Sequence, residues 1–466
     1  MDKFFKISER GSNVKTEIIA GLTTFFAMAY IVIVNPNQVI GFSFDVAGAP
    51  AIWNAVYIAS ILAAVIGTLL YAFYAKMPFA QACGMGLNSF FFTSFVLPQI
   101  VADKDVVKGY QAGLVIILVS GLIFLILSVT GAREYIAKAM PDCIKKAIPA
   151  GIGLFIAFIG FQNVGIIQTN QYTLVQFVKL NGAAWKDVAP AVIALFGFIL
   201  IAILTKLKVK GAVLISILVT SVVFYLATWT APAFDISSFA EPFKDFAKIG
   251  VTGVFQGESW KNAFSPEFIG GIFSAIMLIV TFCLVDMFDT IGTLYGTASE
   301  ADMLDENGDP IDINKSMACD SIATCSGAVL GTSTVTTFVE SAAGVAAGGR
   351  TGLTSLVTAL CFAVCLFLSP VASIIPSAAT APALIFVGVL MLKNFSKVDM
   401  QNMRSAVPAF LTLIMMPLTY SIANGIGIGA ISYVLITLFT GKFKKKDIVV
   451  TLIAALFVCK FVFGTM

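Results

Sequence analysis

Three carboxylates interrupt stretches that otherwise carry no charge: Asp286 and Asp289 in IVTFCLVDMFDTIGTL, and Glu340 in TTFVESAAG. A spacing of three places Asp286 and Asp289 on one helix face, which Thr293 continues. A carboxylate in apolar surroundings is costly to keep, and it marks a polar ligand or a proton path by default. The competing reading is that one of the pair braces a neighbouring helix, a role better suited to Asp289, nearer the cytoplasmic end. Asn88 adds an amide with both donors and an acceptor; its competing role is to cap or brace a broken helix. Asp320, in MACDSIATC, reads as a cap near the start of its helix.

The elements that carry these groups must be membrane helices. The chain has 466 residues, 58% hydrophobic and 12% charged, with a net charge of +3. Soluble domains carry about 25% charged residues, and the mean hydropathy is +0.94. A polytopic membrane protein follows. So small a charge argues against nucleic-acid binding. The absence of His excludes His-ligated metals, Ser–His or Cys–His catalysis and His proton relays. The eight Cys form no CxxC pair and mostly lie in apolar runs, as small buried hydrophobes do. The N-terminal 1–17 is polar and mixed in charge, a short cytoplasmic tail without the pattern of a signal peptide.

Spanning helices need about 20 apolar residues. They read as 18–34, 51–75, 80–98, 110–130, 148–167, 187–205, 210–230, 266–296, 317–331, 334–348, 352–374, 377–392, 406–422 and 424–440, followed by an apolar stretch at 447–463. With the N-terminus inside, the even-numbered connections hold most loop Lys and Arg, including REYIAKAMPDCIKKA, TKLKVKG and GKFKKKD. The positive-inside rule then supports fourteen crossings. Arg350 and Lys393 read as interfacial anchors, and KFKKK as an orientation signal. The stretch 447–463 is interfacial or crossing; fourteen crossings already make two equal halves, which favours the interface.

Two segments make poor spanning helices. QACGMGLNSFFFTSF (81–95) carries Gly84, Gly86, Asn88 and Ser89. GTSTVTTFVESAAGVAAGGRTG (331–352) carries Thr334, Glu340 and Ser341 among other polar residues. They are the third and tenth crossings, corresponding positions if the chain is two seven-helix halves of opposite topology. Paired interrupted segments of this kind point to a transporter binding site. Irregular backbone survives at membrane depth only when buried in protein or lining a cavity, and helix N-termini starting there aim free N–H groups inward. The expected non-helical stretches are 84–88 and 331–336, side by side. The halves share little residue-level identity, so the repeat rests on this pattern.

LTTFFAMAYIVIVNP (22–36), GMGLNSFF (84–91), LVDMFDTIGTL (284–294), GTSTVTTFVESAAGVAAGGRTGL (331–353), TAPALIFVG (380–388) and AVPAFLTLIMMPLTYSIANGIGIG (406–429) resemble the AzgA-like purine permeases of the nucleobase–cation symporter superfamily. The bacterial hypoxanthine/guanine permeases look most similar. The resemblance spans nearly the whole chain, in order. It implies an all-α fold of about fourteen transmembrane segments in two inverted seven-helix repeats. A core domain would comprise 18–130 and 266–374, and a gate domain 148–230 and 377–440. It also implies a substrate held between the third and tenth segments. By matching motif, the family's functional positions fall on Asn88, Asp286, Asp289 and Glu340. Ser89 stands where relatives often have Ala, and Cys83 where Pro is common; both can alter substrate fit.

The expected site therefore comprises Asn88, Asp286, Glu340, Gly86, Ser341 and Thr334 for substrate, with Asp286, Asp289 and Glu340 as candidates for the coupled proton. The expected function is import of purine nucleobases, hypoxanthine and guanine before adenine, by proton symport with alternating access. An adenine permease, or an anion or other nucleobase carrier on the same fold, is the alternative; the acidic intramembrane charges weigh against anions. A membrane enzyme is disfavoured, because there is no His and no GxGD motif. Expected partners are a purine nucleobase, a proton as coupling ion and the lipid bilayer of the cell membrane, with no cofactor, no metal and no nucleic acid. Coupling to sodium and assembly as a homodimer stay open.

Overall fold

The computed structural model describes residues 2–131, 140–232, 239–300, 303–304, 310–441, 443–445 and 447–463. Arg133–Lys138 of the even-numbered loops, most of the acidic loop 301–309, and Lys442 and Lys446 lie outside them.

The chain folds into α1 (Val14–Val39), α2 (Ala49–Ala75), strand β1 (Gln81–Cys83), α3 (Met85–Val101), α4 (Val106–Thr130) and α5 (Asp142–Asn163). A short hairpin, β2 (Ile167–Asn170) and β3 (Leu174–Phe177), leads to α6 (Trp185–Lys206) and α7 (Ala212–Thr228). The second half repeats the order: α8 (Gly271–Glu300), α9 (Ile313–Leu330), strand β4 (Val335–Thr337), α10 (Ser341–Ala346), α11 (Gly352–Ala372), α12 (Ser377–Lys397), α13 (Met403–Leu418) and α14 (Ile422–Phe439). A last helix, α15 (Asp447–Phe463), follows. Among the described residues, nine helices are long and apolar enough to cross a membrane, and α3, α7 and α13 are shorter apolar helices. The protein is a multi-pass membrane protein.

Packing divides the helices into two bundles. One holds α1–α4 and α8–α11; the other holds α5–α7 and α12–α14. Adding seven to each helix number maps neighbours onto neighbours. Helix α4 packs on α9 as α11 packs on α2; α1 packs on α11 as α8 packs on α4; α5 packs on α13 as α12 packs on α6. Self-related pairs sit on the implied axis. One is α5 with α12, where a Cβ built on Gly153 would lie 2.9 Å from the Gly388 carbonyl, and one on Gly388 would lie 2.5 Å from the Gly153 carbonyl. Only glycine permits backbones to meet so closely. The other is β1 with β4, which pair antiparallel in the register Gln81↔Thr337, Ala82↔Thr336 and Cys83↔Val335. A two-fold axis relating the halves gives an antiparallel pair there, as observed. The two-fold repeat therefore lives in the packing pattern.

Helix α15 lies beside α14 and also touches α8. Asp447 at its start is buried; it accepts from the Tyr433 hydroxyl at 3.1 Å and sits 3.5 Å from the Arg404 guanidinium. Ten residues on, about 15 Å along a helix, Phe457 packs on Gly427, where a Cβ would come within 2.5 Å of the ring. Helix α15 thus runs antiparallel along α14 rather than across its end.

The N-terminal tail is more buried than its polarity suggests. Phe5 and Ile7 pack on Leu353. Helix α1 begins at Val14, so Glu17 belongs to it and is fully buried. Its carboxylate accepts from the Arg350 N–H at 2.9 Å, the Thr351 and Thr354 N–H groups at 3.3 Å each, and the Thr354 hydroxyl at 2.6 Å. Three of those donors are N–H groups at the start of α11, where a carboxylate is well placed. Reading 1–17 as a short cytoplasmic tail does not by itself foresee this anchor.

Candidate functional site

The site is built where two helix N-termini meet at a strand crossing. Strand β1 ends at Cys83, Gly84 follows with an extended backbone (φ −69°, ψ 113°), and α3 starts at Met85. Strand β4 ends at Thr337, and α10 starts at Ser341. Besides the ladder, the Gly84 N–H donates to the Thr334 carbonyl at 3.1 Å and the Phe338 N–H to the Ala80 carbonyl at 3.0 Å. The two stretches are neighbours, as expected from the sequence. The extended part of the first is displaced, however: residues 85–88 are helical and 81–84 are not. Glycine content suggested a break at Gly86. Gly86 instead serves close packing, since a Cβ there would lie 2.2 Å from Ile152 Cγ2 on α5. It marks the contact between the two bundles.

Asn88 lies buried one turn into α3, and Ser333 donates to its Oδ1 across the crossing. Its Nδ2 donates to Gln38 Oε1 at 3.3 Å, and Gln38 Nε2 donates to the Met85 carbonyl and Ser89 Oγ, each at 3.2 Å. Asn88 braces the crossing, the structural alternative weighed for it. Ser341 likewise accepts from the Ala80 N–H at 3.0 Å. Thr334 differs: its hydroxyl is buried and has no partner among the described residues.

Asp286 is buried on α8. The Thr324 hydroxyl lies 2.9 Å from its Oδ2 and 3.0 Å from the Val335 carbonyl, so it can donate to either. Asp286 Oδ1 is buried without a partner among the described residues. Unpaired buried polar atoms are uncommon and call for an explanation. Asp289, half-buried one turn on, has no hydrogen-bond partner among the described residues. Glu340 is half-buried and accepts from the Tyr30 hydroxyl at 2.6 Å. Tyr30 occupies the break within α1, between its Val14–Met28 and Ile31–Val39 portions.

Asp320 departs most from expectation. Helix α9 begins at Ile313, so Asp320 lies two turns inside it rather than at its cap. It is fully buried. It accepts from the Thr290 hydroxyl at 2.6 Å, the Thr337 N–H at 3.0 Å, the Thr337 hydroxyl at 2.8 Å and the Tyr71 hydroxyl at 3.2 Å, and also from Gln81. One carboxylate thereby ties α2, β1, α8 and β4 together. Sequence reasoning missed it because the loop 301–312 blurs where α9 begins. The clustered Thr and Ser around it were the available signal.

A family model described as "Permease family" matches residues 15–428. The guanine/hypoxanthine permease PbuG of Bacillus subtilis is 41% identical over 470 residues, covering 99% of this chain and 100% of that protein. The adenine permease AdeP of Escherichia coli is 36% identical over 463 residues, covering 99% of this chain and 96% of that one. Among solved structures, the transmembrane domain of the cyanobacterial bicarbonate transporter BicA superposes with a TM-score of 0.62 at 15% identity, covering 88% of this chain and 97% of that one. That likeness is one of fold. Matched along nearly its whole length and built around two broken segments, the chain belongs to the Permease family: it is a membrane transporter, not an enzyme.

Proposed function

We propose that the protein imports purine nucleobases by proton symport, with hypoxanthine and guanine preferred over adenine. The observation that carries this reading is the unused hydrogen-bonding capacity beside the β1–β4 crossing: Asp286 Oδ1 and the Thr334 hydroxyl, both buried without partners among the described residues. An acceptor and a hydroxyl so placed suit a polar planar guest. The names of full-length relatives support the class, since they include guanine/hypoxanthine and adenine permeases. Their identities to this chain are too close to rank the substrates, so the ranking rests on chemistry.

Asp286 and Glu340 accept from ring N–H groups, and the N-termini of α3 and α10 offer N–H groups to ring carbonyls. Guanine presents adjacent N1–H and N2–H donors, hypoxanthine N1–H alone, and both carry O6. Adenine places a donor where the oxopurines place that acceptor, a mismatch of about 1–3 kcal/mol. Asp286, Asp289 or Glu340 carries the coupled proton. Two seven-helix halves, to which α15 is additional, and a core–gate division are part of this reading. The core, 18–130 and 266–374, moves against the gate, 148–230 and 377–440, exposing the site to each side in turn.

Uptake of radiolabelled hypoxanthine, guanine and adenine, with and without an uncoupler, tests the proposal. Oxopurine uptake that the uncoupler abolishes is expected. Adenine competing better than guanine or hypoxanthine, or uptake indifferent to the proton gradient, would refute it.

A further inference from the structure

A cavity lies away from the carboxylates, at the end of the molecule that the positive-inside pattern assigns to the outside. Its volume is about 300 Å³, at the small end of the roughly 300–1,000 Å³ of small-molecule sites. That volume suits a fused two-ring heterocycle. Its wall is partly aromatic. Trp53 stacks on Tyr57 with ring centroids 5.5 Å apart, and exposed Phe44 lies 6.5 Å from Trp53 at the rim. The remaining wall mixes apolar Pro50, Pro242, Ala372 and Ile375 with polar groups, among them Asn37, Asn54, Glu241 and Ser369.

Three of these groups are placed to receive a ligand. The Ser369 hydroxyl is buried, 2% exposed, and has no partner among the described residues. The exposed Glu241 carboxylate lines the same cavity and has no hydrogen-bond partner among the described residues, which leaves it free to meet a ligand. Asn37 is held by Trp53, whose indole N–H donates to its Oδ1 at 2.6 Å, so its amide orientation is fixed. Its Nδ2 makes only a long contact, 3.4 Å, to the Thr380 hydroxyl of α12. An aromatic rim, a carboxylate for ring N–H donors and hydroxyl and amide donors for a carbonyl match the edges of an oxopurine.

Location adds a second line of support. The Asn37–Thr380 contact joins the two bundles. Ser369, Ala372, Ser373 and Ile375 on the cavity wall cover the end of α11 in one bundle and the link by which the chain passes to α12 in the other. A ligand here sits on the outer seam between the two moving parts.

We propose that this cavity is an outer purine-binding site, occupied before the base reaches the central carboxylates. The choice of purine as its ligand rests on the function proposed above. Ser373 lines the cavity and is exposed, and among the described residues no cysteine lines it. Ser373→Cys therefore reports occupancy through its rate of labelling by a membrane-impermeant thiol reagent applied from outside. The full-length protein is labelled with hypoxanthine or guanine, with the central site intact and with Asp286→Asn. At a purine concentration about nine times the dissociation constant, labelling should slow about tenfold in both backgrounds. Adding Phe44→Ala and Glu241→Gln should remove most of that protection. Equal labelling with and without purine overturns the outer site, as does protection that survives loss of the Phe44 and Glu241 side chains. Absence of purine uptake by the unaltered protein would instead overturn the transport reading, while the labelling decides the outer site directly.

Discussion

The Tyr30 hydroxyl donates to Glu340 Oε1 at 2.6 Å, joining the break in α1 to the start of α10. The two residues are 310 positions apart, and each stands where a helix is interrupted. Tyr30→Phe removes the donor and keeps the ring. A net hydrogen bond of about 0.5–1.5 kcal/mol corresponds to a rise of about twofold to tenfold in the KM for purine uptake. Protein level in the membrane should not change, which immunoblotting alongside the uptake assay checks.

Asp286→Asn and Glu340→Gln keep size and remove the ionisable acceptor. A hydrogen bond to a charged group contributes about 1.5–3 kcal/mol, so purine binding should weaken about tenfold to a hundredfold. Asp289→Asn should have the milder effect on binding. Near-normal proton-driven uptake by either Asp286→Asn or Glu340→Gln would remove that residue from the mechanism.

Gly86 and Ile152 set the spacing between the bundles at the site. Gly86→Ala forces the added methyl group against Ile152 Cγ2 and should cut transport while leaving the protein folded. Ile152→Ala clears that space. The double variant Gly86→Ala with Ile152→Ala should transport better than Gly86→Ala alone, a non-additivity expected of residues in contact. Equal defects in the single and double variants would place the fault elsewhere.

Glu17 holds the start of α11 through four donors. Glu17→Gln replaces one acceptor oxygen by an NH₂ group facing donors. A loss of about 1–3 kcal/mol is expected, visible as a lower unfolding temperature of the purified protein. An unchanged melting profile would show that the anchor is dispensable.

Helix α15 runs alongside α14 from the Arg404–Asp447 pair to the Gly427–Phe457 contact. If α14 returns the chain to the cytoplasmic side, α15 carries it outward again. A cysteine appended after Met466 should then react with an impermeant reagent in intact cells. Labelling only after the cells are opened would return the segment to the inner interface.

Much was legible in the sequence because the bilayer limits the choices. Apolar runs marked the helices, loop Lys and Arg suggested an orientation, and Gly and Ser/Thr clusters exposed the two interrupted segments and their neighbourhood. The rare charges within apolar runs singled out Asp286, Asp289 and Glu340. Partnership was a different matter, because hydrogen bonds between residues far apart leave no periodic trace. Tertiary structure alone made Asp320 a buried hub, Glu17 an anchor for α11 and Asn88 a brace bonded to Ser333. It also assigned Gly86 to packing against Ile152. Local sequence registers polarity and helix-breaking tendency; whether a buried polar atom is paired or left open, as Asp286 Oδ1 is, depends on which segments the fold brings against it.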